Sequence, residues 1–195
     1  MTGRRTPTRE ELEAARGIRV PDVIAEDLEV LFCGINPGLY SAAVGHHFAR
    51  PGNRFWTVLH LSGFTERRLP PSEDRSLVER GLGIVNIVDR PTGSADELTP
   101  AELAEGGVRL VAKVERYRPA VLAVLGLSAY REAFRRPRTV AGAQVETVGR
   151  ARLWVLPNPS GLNASYQLAA LVGLFQTLRR SLREDQPSRG RAARK

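Results

Sequence analysis

Two short loops carry the residues whose types and spacing could perform chemistry. Residues 34–38 (Gly-Ile-Asn-Pro-Gly) follow one apolar run, and residues 157–162 (Pro-Asn-Pro-Ser-Gly-Leu) follow another. Each run predicts a buried strand, and the C-terminal ends of parallel strands lie along one rim of a sheet, where ligands bind. We therefore expect both loops to face one site. They would bring to it the amide of Asn36, several backbone N–H groups and the aliphatic side chain of Leu162.

The first loop differs from the common phosphate-binding loops. No Gly-Lys-Ser or Gly-Lys-Thr closes residues 34–38, and their spacing is not Gly-x-Gly-x-x-Gly. Taken alone, the loop has two interpretations of about equal weight: a tight turn in which Asn36 hydrogen-bonds its own backbone, or a binding loop. As a binding loop it suits a reaction whose leaving group departs as an anion, because fixed N–H donors stabilise developing negative charge.

Composition limits the possible partners and cofactors. The 195 residues are 42% hydrophobic, which is sufficient for one domain with a full core. A net charge of +8 and a pI near 10.6 favour polyanions, chiefly nucleic acid or an anionic membrane surface; a basic protein with no such partner is the alternative. The one cysteine, Cys33, excludes a disulfide framework, a multi-cysteine zinc site and an iron–sulfur cluster. No apolar run has membrane-spanning length, so we expect a cytoplasmic protein that binds no membrane.

Strands alternate with helices along the chain. Apolar runs predict core strands over 28–33, 83–88, 120–125 and 152–156, and an edge strand or hairpin arm over 144–148. Helical spacing and capping residues predict helices over 8–17, 53–61, 99–117, 128–134 and 165–182. The pattern predicts a single three-layer α/β/α domain around a mostly parallel sheet of about four strands. The domain is expected to span 20–183, between a basic N-terminal tail with a short helix (1–19) and a basic disordered C-terminal tail (184–195).

The stretch after the first loop makes the interpretation specific. Residues 39–56 (Leu-Tyr-Ser-Ala-Ala-Val-Gly-His-His-Phe-Ala-Arg-Pro-Gly-Asn-Arg-Phe-Trp) resemble the signature of the mismatch-specific uracil-DNA and thymine-DNA glycosylases, within the uracil-DNA glycosylase superfamily. Further matching pieces are 89–92 (Asp-Arg-Pro-Thr), 105–107 (Glu-Gly-Gly) and 158–162 (Asn-Pro-Ser-Gly-Leu). The resemblance covers about residues 20–182 in the same order and leaves only the tails outside.

The resemblance implies an activity and its partners. A DNA glycosylase of this kind flips a nucleotide out of the duplex, which is easiest at a mismatch, and hydrolyses the bond between base and sugar. The expected substrate is uracil, with thymine and other modified pyrimidines as further candidates, in G·U or G·T mismatches. The expected product is an abasic site for base excision repair, formed by a monofunctional, monomeric and nucleoid-associated enzyme without a cofactor. Its partner would be double-stranded DNA, with single-stranded uracil DNA as a second candidate.

The resemblance also implies roles around the first loop. Asn36 matches the residue that holds the attacking water, and it would act by orientation because an amide is no general base. Phe48 matches the position that stacks on the extruded pyrimidine, although a phenylalanine here is otherwise more often a core residue. Backbone N–H groups near Ile35 and Phe48 would donate to the uracil carbonyls. The glycosidic bond would break largely before water attacks, and a neutral water-holder implies a slow enzyme.

Four further residues bear on which base is accepted. Asn86 interrupts an apolar strand, so its amide needs a partner: backbone in a neighbouring loop or, by resemblance to the thymine-acting branch, the pyrimidine edge. His46 and His47 also resemble that branch; no carboxylate or cysteine joins them at ligand spacing, so we expect no metal. Ser41 stands where the thymine branch has a smaller alanine, and it would crowd a C5-methyl group. Asn86 and the two histidines favour activity on thymine, whereas Ser41 opposes it, so thymine activity is left open.

One acidic residue lies near the predicted rim. Asp89 follows the second strand and could assist the water, as an acidic base does elsewhere in the superfamily. Its alternative role, which we favour, is that of a structural partner for Arg90 or for a backbone N–H group. The sequence therefore offers Asp89 only as a second catalytic candidate beside Asn36.

The second loop is predicted to contact DNA. Leu162 matches the wedge that fills the gap left by the flipped base, although it could instead begin the last helix as a core residue. Gly161 and Asn163 would present backbone groups to the orphaned guanine, and Asn158 and Ser160 would contact phosphate or shape the loop. Asn-Ala at 163–164 replaces the Ser-Arg typical of the bacterial branch, which removes one guanidinium. A non-catalytic damaged-DNA binding module is the alternative; a small-molecule nucleotide-binding protein is a more distant one, since it would need no wedge.

Overall fold

Five strands form the central sheet of the computed structural model, which describes residues 6–161 and 165–184. Their order across the sheet is β2-β1-β3-β5-β4, and the first four are parallel. β4 pairs antiparallel with β5 at one edge, with an irregular register between its two ends. The α/β prediction is confirmed: four core strands and the predicted edge strand are all present. Their bounds are Val30–Gly34 (β1), Leu82–Asn86 (β2), Val121–Leu125 (β3), Gly142–Val148 (β4) and Ala151–Leu156 (β5).

Six α-helices are present in the described ranges. They are Arg9–Ala14 (α1), Leu39–Val44 (α2), Phe55–Leu61 (α3), Pro100–Tyr117 (α4), Leu127–Ala133 (α5) and Leu168–Glu184 (α6). Shorter 3₁₀ segments lie at Ala15–Gly17, Pro71–Arg80 and Ala95–Glu97. The predicted capping boxes at Thr8 and Thr99 both form, and they begin α1 and α4. α2 and the segment 71–80 have no counterpart among the predicted helices.

The parallel part of the sheet is buried on both faces, as parallel strands covered by helices must be, whereas the edge strand β4 is largely exposed. Strands β1, β2 and β3 are buried along their whole length. On one face α3 and α6 supply the core, where the Phe175 ring stacks 5.7 Å from that of Phe32. On the other face α4 and α5 pack against the alternate residues of the strands. Cys33 is a fully buried residue of this second core, and burial raises the pKa of its thiol.

The N-terminal segment packs closely on the domain. Ala15 and Val20 form a small buried cluster with Ala42 of α2, and α1 lies against α2. Val23 pairs through its backbone with Ile84 of β2. The helix and 3₁₀ turn within residues 6–19, which the sequence prediction set apart as a tail with a short helix, therefore pack against α2, the helix that follows the first loop. No helix in the described ranges is both long and apolar enough to cross a membrane; the tail beyond residue 184 lies outside those ranges.

Candidate active site

A cleft of about 910 Å³ opens at the C-terminal ends of the parallel strands. The loops that follow β1, β2, β3 and β5 all contribute to its walls, so the two loops singled out by sequence do face one site. This is the place where an open α/β sheet binds its ligands. Eight of the predicted site residues line the cleft: Ile35, Asn36, Ser41, His47, Phe48, Asn86, Asn158 and Ser160.

Asn36 lies just beyond β1, and its neighbours fix the orientation of its amide. Its Nδ2 donates to the carbonyl of Arg90 (2.9 Å) and to Oγ1 of Thr92 (2.7 Å). The Thr92 hydroxyl donates its own hydrogen to the carbonyl of Ser94 (2.6 Å), so it accepts from Asn36. Both amide hydrogens are thereby used, and the amide oxygen is left to accept a hydrogen bond within the cleft. Such an oxygen can orient a water molecule without removing its proton.

The backbone of Thr92 holds the first loop. Its N–H donates to the carbonyl of Pro37 (3.1 Å), and its carbonyl accepts from the N–H of Leu39 (3.0 Å). Thr92 is 1% exposed, so its hydroxyl and its two backbone bonds are shielded from competing water. Sequence reasoning gave Thr92 no role; its place in the matching segment 89–92 was the one signal that could have found it.

Phe48 presents an aromatic surface to the cleft. One face of its ring stacks on Phe55, with ring centroids 4.2 Å apart and planes 25° apart. Because Phe48 also lines the cleft, the opposite face is available to a planar ligand. Its backbone φ is +52°, a left-handed conformation that costs a bulky residue on the order of 1–3 kcal/mol. The neighbouring turn holds it: the Ala49 N–H donates to Oγ of Ser41 (3.1 Å).

Ser41 is therefore both a wall of the cleft and a support for Phe48. It is buried, and its carbonyl accepts from the N–H of His46 (3.1 Å) while its hydroxyl accepts from Ala49. The steric effect of Ser41 on a C5-methyl group stays a prediction. Ile35 lies across the cleft, and its side chain packs against Gly126, where a Cβ would meet it at 2.9 Å.

The two adjacent histidines have different partners. His46 Nδ1 lies 3.2 Å from Oδ1 of the buried Asp74, whose other oxygen accepts from the N–H of His47 (3.1 Å). His47 Nε2 is 2.9 Å from the carbonyl of Pro21, and its Nδ1 is 3.5 Å from Nδ2 of Asn86. Burial lowers the pKa of His47, more than the opposing hydrogen bond to Pro21 raises it. The ring is therefore neutral at pH 7. Its partner in β2 is the amide of Asn86, which the sequence predicted to need a hydrogen-bond partner.

Arg54, the residue before α3, ties the second loop to the segment between α2 and α3. Its guanidinium donates to the carbonyls of Ser160 (2.7 Å) and Tyr166 (2.6 Å), and its backbone N–H donates to that of Pro159 (3.0 Å). Asn158 shapes the same loop, because its Oδ1 accepts from the N–H of Ser160 (2.9 Å). Sequence reasoning assigned no role to Arg54, which lies 105 or more residues from these partners.

Gly161 packs against the backbone of Gly52. A Cβ at residue 161 would meet the Gly52 carbonyl oxygen at 2.5 Å, so only glycine fits this approach. Gly161 is exposed and is not among the cleft-lining residues. Leu162 and Asn163, predicted as the wedge and as a guanine contact, lie outside the described residues.

Asp89 lies at the surface beside the cleft. Its Oδ2 is 3.8 Å from Arg19, and it is not among the residues that line the cleft. The predicted partner Arg90 instead pairs with Glu102, at 2.7 Å, because the guanidinium reaches the capping box of α4. Arg90 and the capping hydrogen bonds of Thr99 hold the pKa of Glu102 down at about 2. The geometry thus places Asn36, and not Asp89, where a water in the cleft could be held.

The cleft thus combines an aromatic surface with two oriented amides at the rim of an α/β sheet, groups that suit a planar polar ring. The chain belongs to the Uracil DNA glycosylase superfamily, whose sequence profile matches residues 21–180. It is also similar to the solution NMR structure of a Methanosarcina acetivorans protein provisionally classed as a uracil DNA glycosylase. That similarity has a TM-score of 0.53 and 18% identity, covers 83% of this chain and 98% of the other, and supports the fold. Membership supports DNA glycosylase activity in DNA repair, with DNA as the partner.

Proposed function

We propose that this protein is a monofunctional DNA glycosylase that hydrolyses the bond between uracil and deoxyribose at G·U mismatches. The base is flipped into the cleft, and an abasic site is left in the DNA. A mismatched base costs less to extrude than a paired one, which favours mismatches over A·U. Thymine in G·T is a second candidate substrate. The enzyme is proposed to act as a monomer, without a cofactor, on chromosomal DNA in the cytoplasm.

The orientation of the Asn36 amide carries this proposal. With both hydrogens of Nδ2 donated to Arg90 and Thr92, its oxygen can only accept, and water is a donor of the right kind. Phe48 lines the same cleft with a free ring face, so that a stacked pyrimidine and a held water can share the site. A protein that only bound a flipped base would gain nothing from a fixed water-holder.

The reaction follows from these neutral groups. The C1′–N1 bond breaks first, giving an oxocarbenium-like sugar and a uracil anion, which N–H donors near Ile35 and Phe48 would stabilise. The oxygen of the water held by Asn36 then bonds to C1′, and a proton lost from that water neutralises the departing base. Positioning supplies the rate advantage, because no group in this set is a strong base.

The lysine arrangement supports hydrolysis without strand cleavage. Cleavage through a covalent Schiff base needs an unprotonated lysine at the sugar. Lys113 instead forms an ion pair with Asp22, away from the cleft-lining residues. The other lysine of the sequence, Lys195, belongs to the predicted C-terminal tail.

The test uses labelled duplexes with a single G·U, G·T or A·U pair, incubated with the protein in EDTA. We expect G·U strands to break only after alkali, which reveals abasic sites. Breakage before alkali would contradict the monofunctional assignment. Tight binding to G·U without any abasic product would refute the glycosylase and support a non-catalytic damaged-DNA binding module. The G·T lane reports whether Asn86 or Ser41 dominates the response to the C5-methyl group.

A further inference from the structure

A chain of hydrogen bonds leads from the N-terminal segment to the floor of the cleft. The Pro21 carbonyl lies 2.9 Å from Nε2 of His47, and a carbonyl oxygen can only accept, so Nε2 carries a hydrogen. In a neutral imidazole the other nitrogen is then an acceptor. Nδ1 of His47 faces Nδ2 of Asn86 at 3.5 Å, a long hydrogen bond in which the amide donates. The Pro21 carbonyl thus determines which atom donates and which accepts in both hydrogen bonds, from Pro21 to His47 and from His47 to Asn86.

The burial of His47 keeps this polarity. The side chain is 2% exposed, and burial favours the neutral ring over the cation. The titratable groups that face it are the Asp74 carboxylate, which accepts from its backbone N–H, the neighbouring ring of His46, and Asp22 beyond Pro21. Both carboxylates favour a proton on His47, so acid conditions would add one at Nδ1 and reverse the last link.

The polarity decides what Asn86 offers to a ligand. With Nδ2 turned to His47, the amide oxygen lies on the side of Gly34 and Phe48, where a Cβ on Gly34 would meet it at 2.5 Å. Asn86 lines the cleft. Among the described residues, every side-chain polar atom that is buried has a hydrogen-bond partner. The amide oxygen of Asn86 has no such partner there, so it is not a buried atom and is open to the cleft. It can accept a hydrogen bond from a base held there. Were the amide turned over, its NH₂ group would face the base instead.

We propose that Pro21 and His47 fix the amide of Asn86 so that the cleft selects pyrimidines carrying a hydrogen at N3. Uracil and thymine carry this hydrogen, whereas cytosine has an acceptor at N3. His47 acts through Asn86 as a positioning residue and does not need to touch the base. The inference rests on the proposed function for the identity of the ligand, and it gives residues outside the two site loops a part in specificity.

The test measures binding, so that it does not depend on turnover. Duplexes carry 2′-fluoro-2′-deoxyuridine or 2′-fluoro-2′-deoxycytidine opposite a tetrahydrofuran abasic analogue, so that neither base is paired and both cost about the same to extrude. Fluorine at C2′ disfavours the oxocarbenium ion and blocks hydrolysis. The affinities of wild-type protein, His47→Gln and His46→Gln are compared by fluorescence anisotropy at pH 7.5. In His47→Gln the amide nitrogen can still donate to Pro21, while the acceptor that faces Asn86 is lost. His46→Gln is the matched control, since His46 contacts Asp74 and not Asn86.

We expect wild type and His46→Gln to prefer the uracil duplex by about tenfold or more, the loss caused by an unpaired buried polar group. His47→Gln should reduce that preference to less than about threefold with similar affinity for the cytosine duplex. A preference retained in His47→Gln, or absent from wild type, overturns the inference. Selective binding by wild type without cleavage of ordinary uracil would refute the proposed function alone.

A second measurement covers the case in which His47→Gln does not fold. The tautomer of the His47 ring is read in wild-type protein at pH 7.5 from the ¹⁵N chemical shifts of its two ring nitrogens. We expect Nε2 to carry the hydrogen and Nδ1 to be unprotonated, as the Pro21 carbonyl requires. A ring that carries a hydrogen on Nδ1 contradicts the inference.

Discussion

The substitution Thr92→Val tests whether orientation of Asn36 governs catalysis. Valine keeps the shape of threonine but removes the hydroxyl that accepts from Nδ2 of Asn36 at 2.7 Å. One anchor of the amide is lost, while the Arg90 carbonyl at 2.9 Å remains. The valine methyl also leaves the Ser94 carbonyl without its donor, at a shielded position. The substitution therefore loosens the water-holder without removing it.

The expected loss follows from the value of that hydrogen bond. A buried hydrogen bond to a positioned group contributes about 1–2.5 kcal/mol when its partner is left unsatisfied. If the whole loss falls on the transition state, the rate decreases by roughly 5- to 70-fold. The affinity for a non-hydrolysable G·U duplex should change less than about twofold, because Thr92 supplies no stacking or phosphate contact.

The assay is the single-turnover rate on a G·U duplex with enzyme in excess, measured beside the affinity for the same duplex carrying 2′-fluoro-2′-deoxyuridine opposite guanine. Thr92→Ser is the matched control, because it keeps the hydroxyl and loses only a methyl group, and it should retain most of the rate. The reasoning is refuted if Thr92→Val reacts as fast as wild type. It is equally refuted if Thr92→Ser loses as much rate as Thr92→Val, or if rate and affinity decrease together.

Three further predictions concern the catalytic residue, the wedge and pH. Asn36→Ala should lower the single-turnover rate by roughly 10²–10³-fold with DNA affinity nearly unchanged, and equal losses in both would refute its role with water. Leu162→Ala should impair G·U duplex far more than single-stranded uracil DNA, because only a duplex leaves a gap to fill. The free energy of unfolding, measured by urea denaturation, should decrease as the pH falls below about 6.5. Burial lowers the pKa of His47 in the native protein, so the unfolded chain binds more protons at this residue in that pH range. His47→Gln should flatten this dependence.

The core of the fold was predictable because its signals are local. Each of the four apolar runs that predict a core strand is buried in the sheet. The Thr-x-x-Glu patterns at Thr8 and Thr99 form the capping boxes that begin two helices. α2 escaped prediction because a six-residue helix gives too little periodicity. Its boundary signal was present in Gly45, which ends it with a left-handed φ of +74°.

The supporting residues of the site could not be predicted in the same way. Thr92 lies 56 residues from Asn36 along the chain, and Arg54 lies more than 100 residues from the carbonyls it binds. Asp74 holds the turn before Phe48 from a segment that the sequence prediction left without structure. Such contacts depend on how loops meet after the sheet has formed, and no local propensity encodes them.

Asn36 and Asn86 both present amides whose two ends differ only in their hydrogen-bond role. A rotated amide has nearly the same shape and charge as a correct one, so packing alone cannot distinguish the two states. The direction of its hydrogen bonds can distinguish the two states. Thr92 accepts from Asn36 because its own hydrogen is bound by Ser94, and Nδ1 of His47 accepts from Asn86 because Nε2 donates to Pro21. In both cases a backbone carbonyl from another segment of the chain sets the direction of the hydrogen bonds. Catalysis by neutral groups therefore depends on the connections between loops as much as on the two asparagines.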